Sequence, residues 1–214
     1  MTRGTVAVRE GRASARPDHH RAAVRATVGG ALLGLAWGLS LRAWMAVLQV
    51  GSFGYLPDFT WWGTFGSVAA PAVATGAVLG WAEGVRRAGG RRGWRWAAAA
   101  PLLMVVPVAL TPGFLETLLD TGLGGGAIGV ALIGLTGGYS LSGRGPRAGR
   151  LTAGVVALAL TLATAGLTHF SAPEPLSPAP VFGAVLFSTL MGVFAVAASV
   201  PHRPVVTPGP LPPE

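Results

Sequence analysis

Long apolar runs separated by short polar or glycine- and proline-containing stretches set the pattern of this chain. The runs fall at roughly 27–50, 61–83, 94–112, 123–142, 151–170 and 180–200. Each is close to the ~20 residues that a helix needs to cross a hydrocarbon core ~30 Å thick. Lipid satisfies no backbone hydrogen bonds, so only helices or closed barrels can cross it. The runs are continuous rather than alternating, which selects helices. The pattern predicts an all-α integral membrane protein, a six-transmembrane-helix bundle over residues 25–200. A basic tail, 1–24, precedes it and a proline-rich tail, 201–214, follows it; both read as disordered.

The charges orient this bundle. All 16 basic residues are arginine. Six lie in the N-terminal tail through Arg25, and Arg86, Arg87, Arg91, Arg92 and Arg95 lie between the second and third runs. Arg144, Arg147 and Arg150 lie between the fourth and fifth, and Arg203 follows the sixth. The three alternate connections contain none and carry Asp58, Glu116, Asp120 and Glu174 instead. Arginine on every second connection is the positive-inside pattern, and it predicts both termini in the cytoplasm of a bacterial plasma membrane. It also accounts for the net charge of +8, so no nucleic-acid partner is expected. The lipid bilayer is the expected partner, with other membrane proteins or a second copy meeting the glycine stripes described below.

Composition then removes several chemistries. Without lysine there is no Walker-type phosphate loop and no Schiff base. Without cysteine there is no disulfide, thiolate nucleophile or cysteine metal site. The sequence holds no GxSxG, HExxH or strand-linked GxGxxG, and no pair of carboxylates within a span. No catalytic residue, cofactor or metal is expected. His169 is the one histidine at membrane depth, too few for bis-histidine haem ligation.

Within the spans, Gly30, Gly34 and Gly38 recur every four residues in the first, and Gly76, Gly80 and Gly84 in the second. Such stripes let helix backbones approach closely and are expected to be packing faces. Pro71, Pro101 and Pro107 are expected to bend their helices. Arg42 is the one charge inside an apolar run away from its ends. A charge at such depth costs about 2.5–3.5 kcal/mol unless it finds a partner or water. Asp58 is the expected partner, and anion binding is the functional alternative to a structural clamp. Trp61 stands in the aromatic belt at the head of the second span. Glu116 and Asp120, four residues apart, lie on one face of a short interfacial helix over 112–121. With Arg42, Asp58, Trp61 and His169, they complete the candidate binding residues.

Arg42-Ala43-Trp44-Met45 and Pro57-Asp58-Phe59-Thr60-Trp61-Trp62-Gly63-Thr64 resemble stretches of an uncharacterised family of small multi-span membrane proteins from GC-rich bacteria. The resemblance covers about a tenth of the chain, and Ala46 stands where that family often carries a second basic residue. It implies that the two stretches form a unit and brings no activity with it. Scarcity of polar groups inside the membrane makes a non-enzymatic membrane component the first expectation: an assembly, envelope or regulatory partner. The alternative is a small permease or channel for a small or anionic solute, with Arg42 at an outward-facing site. An embedded enzyme at the outer interface ranks third.

Overall fold

A computed structural model describes residues 16–53, 60–121, 124–170 and 177–206, and these residues are predominantly helical, without strands. Helix α1 spans Arg16–Phe53. It begins eleven residues before the first apolar run, so residues 16–24, read from the sequence as tail, continue the helix outward. Eight residues of π-helix, Trp62–Ala69, lead without a break into α2, Ala70–Arg87. A 3-10 helix over Trp94–Met104 is followed by one α-turn, α3, Val106–Ala109. Then come α4, Phe114–Thr121, α5, Gly125–Ser140, α6, Arg147–Phe170, and α7, Pro178–Ala198. A last 3-10 turn, Val200–His202, follows, and the described chain runs on to Val206.

Four helical stretches among the described residues are long and apolar enough to cross a membrane: Arg21–Leu48, Trp62–Arg87, Arg147–Leu167 and Pro178–His202. A fifth is reached if α4 and α5, bent by 94° at a break, form one span. The segment expected to be the third span is divided at Val105 between the 3-10 helix and α3.

The glycine stripes face each other across α1 and α2. A Cβ on Gly30 would run into the Gly76 carbonyl oxygen, and one on Gly76 into the Gly30 carbonyl oxygen. A Cβ on Gly38 would meet the Ala72 methyl at 2.7 Å, and one on Gly84 would meet Ala23 Cα at 2.8 Å. Backbone thus lies on backbone for four turns. That is how helices gain dispersion contacts in lipid, where burial against tails adds no hydrophobic drive. A second seam of the same kind joins α5 to α7. There a Cβ on Gly138 would stand 2.7 Å from the Ala198 carbonyl oxygen, and one on Gly137 2.7 Å from the Ala195 methyl.

Larger side chains fill the space between these seams. Leu41, Trp44, Met104, Ile133, Phe187, Met191 and Phe194 are buried together. Trp44 stacks on Phe187 with ring centroids 4.4 Å apart. Trp37 stacks on Phe194 at 4.8 Å and donates its indole N–H to the Leu190 carbonyl at 2.9 Å. These contacts tie the middle of α1 to α7.

The same contacts define the two ends of the bundle. The start of α1 lies on the end of α2 through Ala23 and Gly84. Val85 and Ala82 of α2 pack with Trp94, Ala97, Val200 and Val205. Tyr139, at the end of α5, meets His202 edge-on. Arg150 of α6 donates to the Ser140 carbonyl at 3.2 Å. Both ends of the described chain, and every loop that carries arginines, therefore gather at one end of the bundle.

Candidate functional site

At the opposite end, a cavity of about 450 Å³ lies between α1, the π-helix, the 3-10/α3 junction and the start of α5. Arg42 lines it together with Thr60, Gly63 and Ser67, and Met104, Val108 and Val130 supply apolar walls. The Arg42 Nε donates to the hydroxyl of buried Thr64 at 3.4 Å. That bond is long, and no carboxylate pairs with Arg42 among the described residues.

Irregular backbone surrounds this cavity. In the π-helix the Ala70 N–H reaches back to the Phe65 carbonyl, five residues earlier. The wider helix has room here because Gly66 carries no side chain; a Cβ there would meet the Trp62 indole at 2.8 Å. The Thr60 hydroxyl accepts the Gly63 N–H at 3.0 Å, and the Ser67 hydroxyl donates to the Gly63 carbonyl at 2.6 Å. π-helical turns and mid-segment 3-10 stretches are both concentrated at functional sites and hinges.

The 3-10 helix can be read from its burial. Trp94, Ala97 and Ala100, spaced by three, are buried, whereas Trp96, Ala99 and Leu102, also spaced by three, are exposed. A period of three is that of a 3-10 helix. Pro101 lies within it and Pro107 within α3, so two backbone donors are missing from this segment. Irregular backbone at membrane depth is tolerated where it is buried in protein or lines a cavity.

The other candidates do not converge on Arg42. Trp61 is exposed and stacks on Phe65 with centroids 5.2 Å apart. Glu116 and Asp120 are exposed on α4, while Phe114 and Leu118 of that helix turn toward Gly124 and Gly125. None of these three acidic or aromatic residues lines the cavity. Asp58 lies outside the described residues, as does the His169 side chain, so the proposed Arg42–Asp58 pair is not part of the described site. Thr60, Thr64 and Ser67 were not singled out by sequence reasoning. Their signal is the spacing of small hydroxyl residues at 60, 64 and 67 with Gly63 between them, which places them along one helical face.

A second charged cluster sits at the arginine end. Glu83 accepts two bonds from Arg86, at 2.7 and 2.8 Å, and one from Arg87 at 2.6 Å. Arg86 also donates to the Pro204 carbonyl at 3.2 Å, and the Val206 N–H donates to the Arg86 carbonyl at 3.2 Å. The fork of Arg86 therefore clamps the chain beyond α7 to the end of α2. Glu83→Gln keeps the shape and removes the charge that holds this fork. It is expected to lower stability by about 1–2 kcal/mol, at the lower end for charge-assisted bonds because water reaches the site. A lowered unfolding midpoint in detergent would show it, and an unchanged midpoint would refute the clamp.

No family model matches this chain, and neither the curated proteins nor the solved structures contain a match to it.

Proposed function

We propose that the chain is a six-span protein of a bacterial plasma membrane, with both termini cytoplasmic, and that it is a small permease whose cavity at Arg42 binds a small anionic solute from the outer side. The observation that carries this reading is a guanidinium lining a cavity of about 450 Å³ with only a hydroxyl as its described partner. A guanidinium offers five donors and keeps its charge at any physiological pH. Thr60 and Ser67 add hydroxyls beside it. Transporter sites are built in this way, from interrupted helices whose freed backbone groups face a cavity.

Length supports six spans. Eleven 3-10 residues rise about 2.0 Å each and the other five, Val105 included, about 1.5 Å each, so Trp94–Ala109 extends roughly 30 Å. The same residues as an α-helix would reach only about 24 Å. The extended form nearly matches the ~30 Å core. The gathering of arginine-bearing loops at one end supports a cytoplasmic assignment for that end.

The rival reading, a structural clamp in a non-enzymatic membrane component, needs a dry Arg42. The cysteine-free sequence lets single cysteines decide. Met45→Cys and Ser67→Cys line the cavity, whereas Ala43→Cys lies on the exposed side of α1. In intact cells, a membrane-impermeant thiol reagent is expected to label the first two and leave the third unlabelled. Labelling at Trp61→Cys with silence at positions 45 and 67 would overturn the solute site and establish the clamp.

A further inference from the structure

A second cavity, of about 460 Å³, lies in the other half of the bundle. Its floor is α2, from Ala72 to Arg87, and its walls are α1 and α7. Ala26, Gly29, Gly30, Leu33, Gly34 and Trp37 form the α1 wall, which is one helical face. Trp37 shuts the groove at mid-depth, because its hydrogen bond to Leu190 and its stacking on Phe194 draw α1 onto α7 there. Toward the arginine end the groove runs on between Ala26 and Gly29 of α1 and Ala197 and Val200, and it ends at Glu83 and Arg87.

We infer that this groove holds one acyl chain of an anionic phospholipid, with the lipid phosphate at Arg87. Depth and charge carry the inference. From Ala26 to Trp37 is eleven residues of helix, about 16 Å, which is half of the ~30 Å core and thus one leaflet. The walls are almost wholly apolar. At the mouth, two arginines meet one glutamate, an excess of one positive charge. Arg86 is committed to Glu83 and Pro204, but Arg87 is 72 % exposed and uses only its Nε on Glu83. Its terminal nitrogens are free for a phosphate, with exposed Arg21 and Arg25 on the approaching turns of α1. Cationic residues at a helix end draw anionic headgroups in this manner.

Gly29 supplies a selective test. It lines the groove, and a Cβ there would meet nothing within 4 Å. Gly29→Leu should therefore fill the groove without disturbing the helices, and Arg87→Gln gives up one bond to Glu83, which Arg86 still holds with two. The full chain would be reconstituted in phosphatidylcholine vesicles doped with phosphatidylglycerol bearing a photoreactive acyl chain. Illumination is expected to place adducts within residues 26–37 and 193–200. Gly29→Leu is expected to reduce them about tenfold, equivalent to about 1.4 kcal/mol. Arg87→Gln is expected to remove the preference for phosphatidylglycerol over an equally photoreactive phosphatidylcholine. Equal labelling by the two lipids in the native chain, or adducts as dense on the exposed Leu151–Leu162 face of α6, would overturn the proposal. A high yield of interchain disulfide from Gly29→Cys would also overturn it, since a second copy would then cover the groove.

Discussion

Gly30→Leu is expected to destabilise the bundle by about 3 kcal/mol or more, at or above the upper end for overpacking in a filled core. The obstacle is backbone. The new Cβ would run into the Gly76 carbonyl oxygen and would come within 2.8 Å of Gly80 Cα. No rotamer relieves a clash made by Cβ itself, so α1 and α2 must separate. Separation along this face loosens the neighbouring contacts of Gly34 with Ala72 and of Gly84 with Ala23. In lipid those dispersion contacts have no hydrophobic term behind them to compensate. Gly129→Ala is the matched control, because a Cβ at 129 meets nothing within 4 Å. It should leave stability unchanged or slightly raised, by the better helix propensity of alanine. Titration of helicity with a denaturing detergent would compare the two. An unchanged midpoint for Gly30→Leu would mean that the α1–α2 seam is not as close as described.

That seam was legible in the sequence because its cause is steric. A glycine every four residues makes a flat stripe on any α-helix, whatever surrounds it. The gathering of arginines was legible for a similar reason, since loops that alternate along the chain must alternate between the ends of a bundle. The irregular helices were not. A π-helix over Trp62–Ala69 depends on the Trp62 ring lying across Gly66 and on Thr60 and Ser67 serving local backbone groups. These are choices between helix types that one sequence period does not separate. Pro101 and Pro107 signalled a bend, and the structure answers with a different helix, a 3-10 run that rises further per residue than an α-helix. Arg42 stood out as a lone charge. Its surroundings did not, because the cavity forms where the π-helix and the 3-10/α3 junction meet α1 and α5, and residues such as Met104 and Gly126 carry no signal of that meeting.

If the cavity is a solute site, Arg42 should make it prefer anions, and that preference can be measured without knowing the solute. A cysteine at Ser67 reports from the cavity wall. Its rates with a negatively charged and a positively charged thiol reagent of matched size would be compared. Two unit charges about 8 Å apart at an effective dielectric of about 20 interact by roughly 2 kcal/mol. Opposite signs for the two reagents would double that difference, and salt with a Debye length of about 8 Å removes a good part of it. A preference for the anion of at least about tenfold should remain. Arg42→Gln should abolish it, while Arg42→Lys, which keeps the charge but not the planar fork, should retain most of it. A purely structural arginine gives a different pattern, since a clamp lost with glutamine would alter both rates together and leave their ratio alone. The ratio therefore separates a charge that faces solute from one that only holds the π-helix through Thr64, and a ratio near one in the unsubstituted Arg42 background would end the anion-site reading.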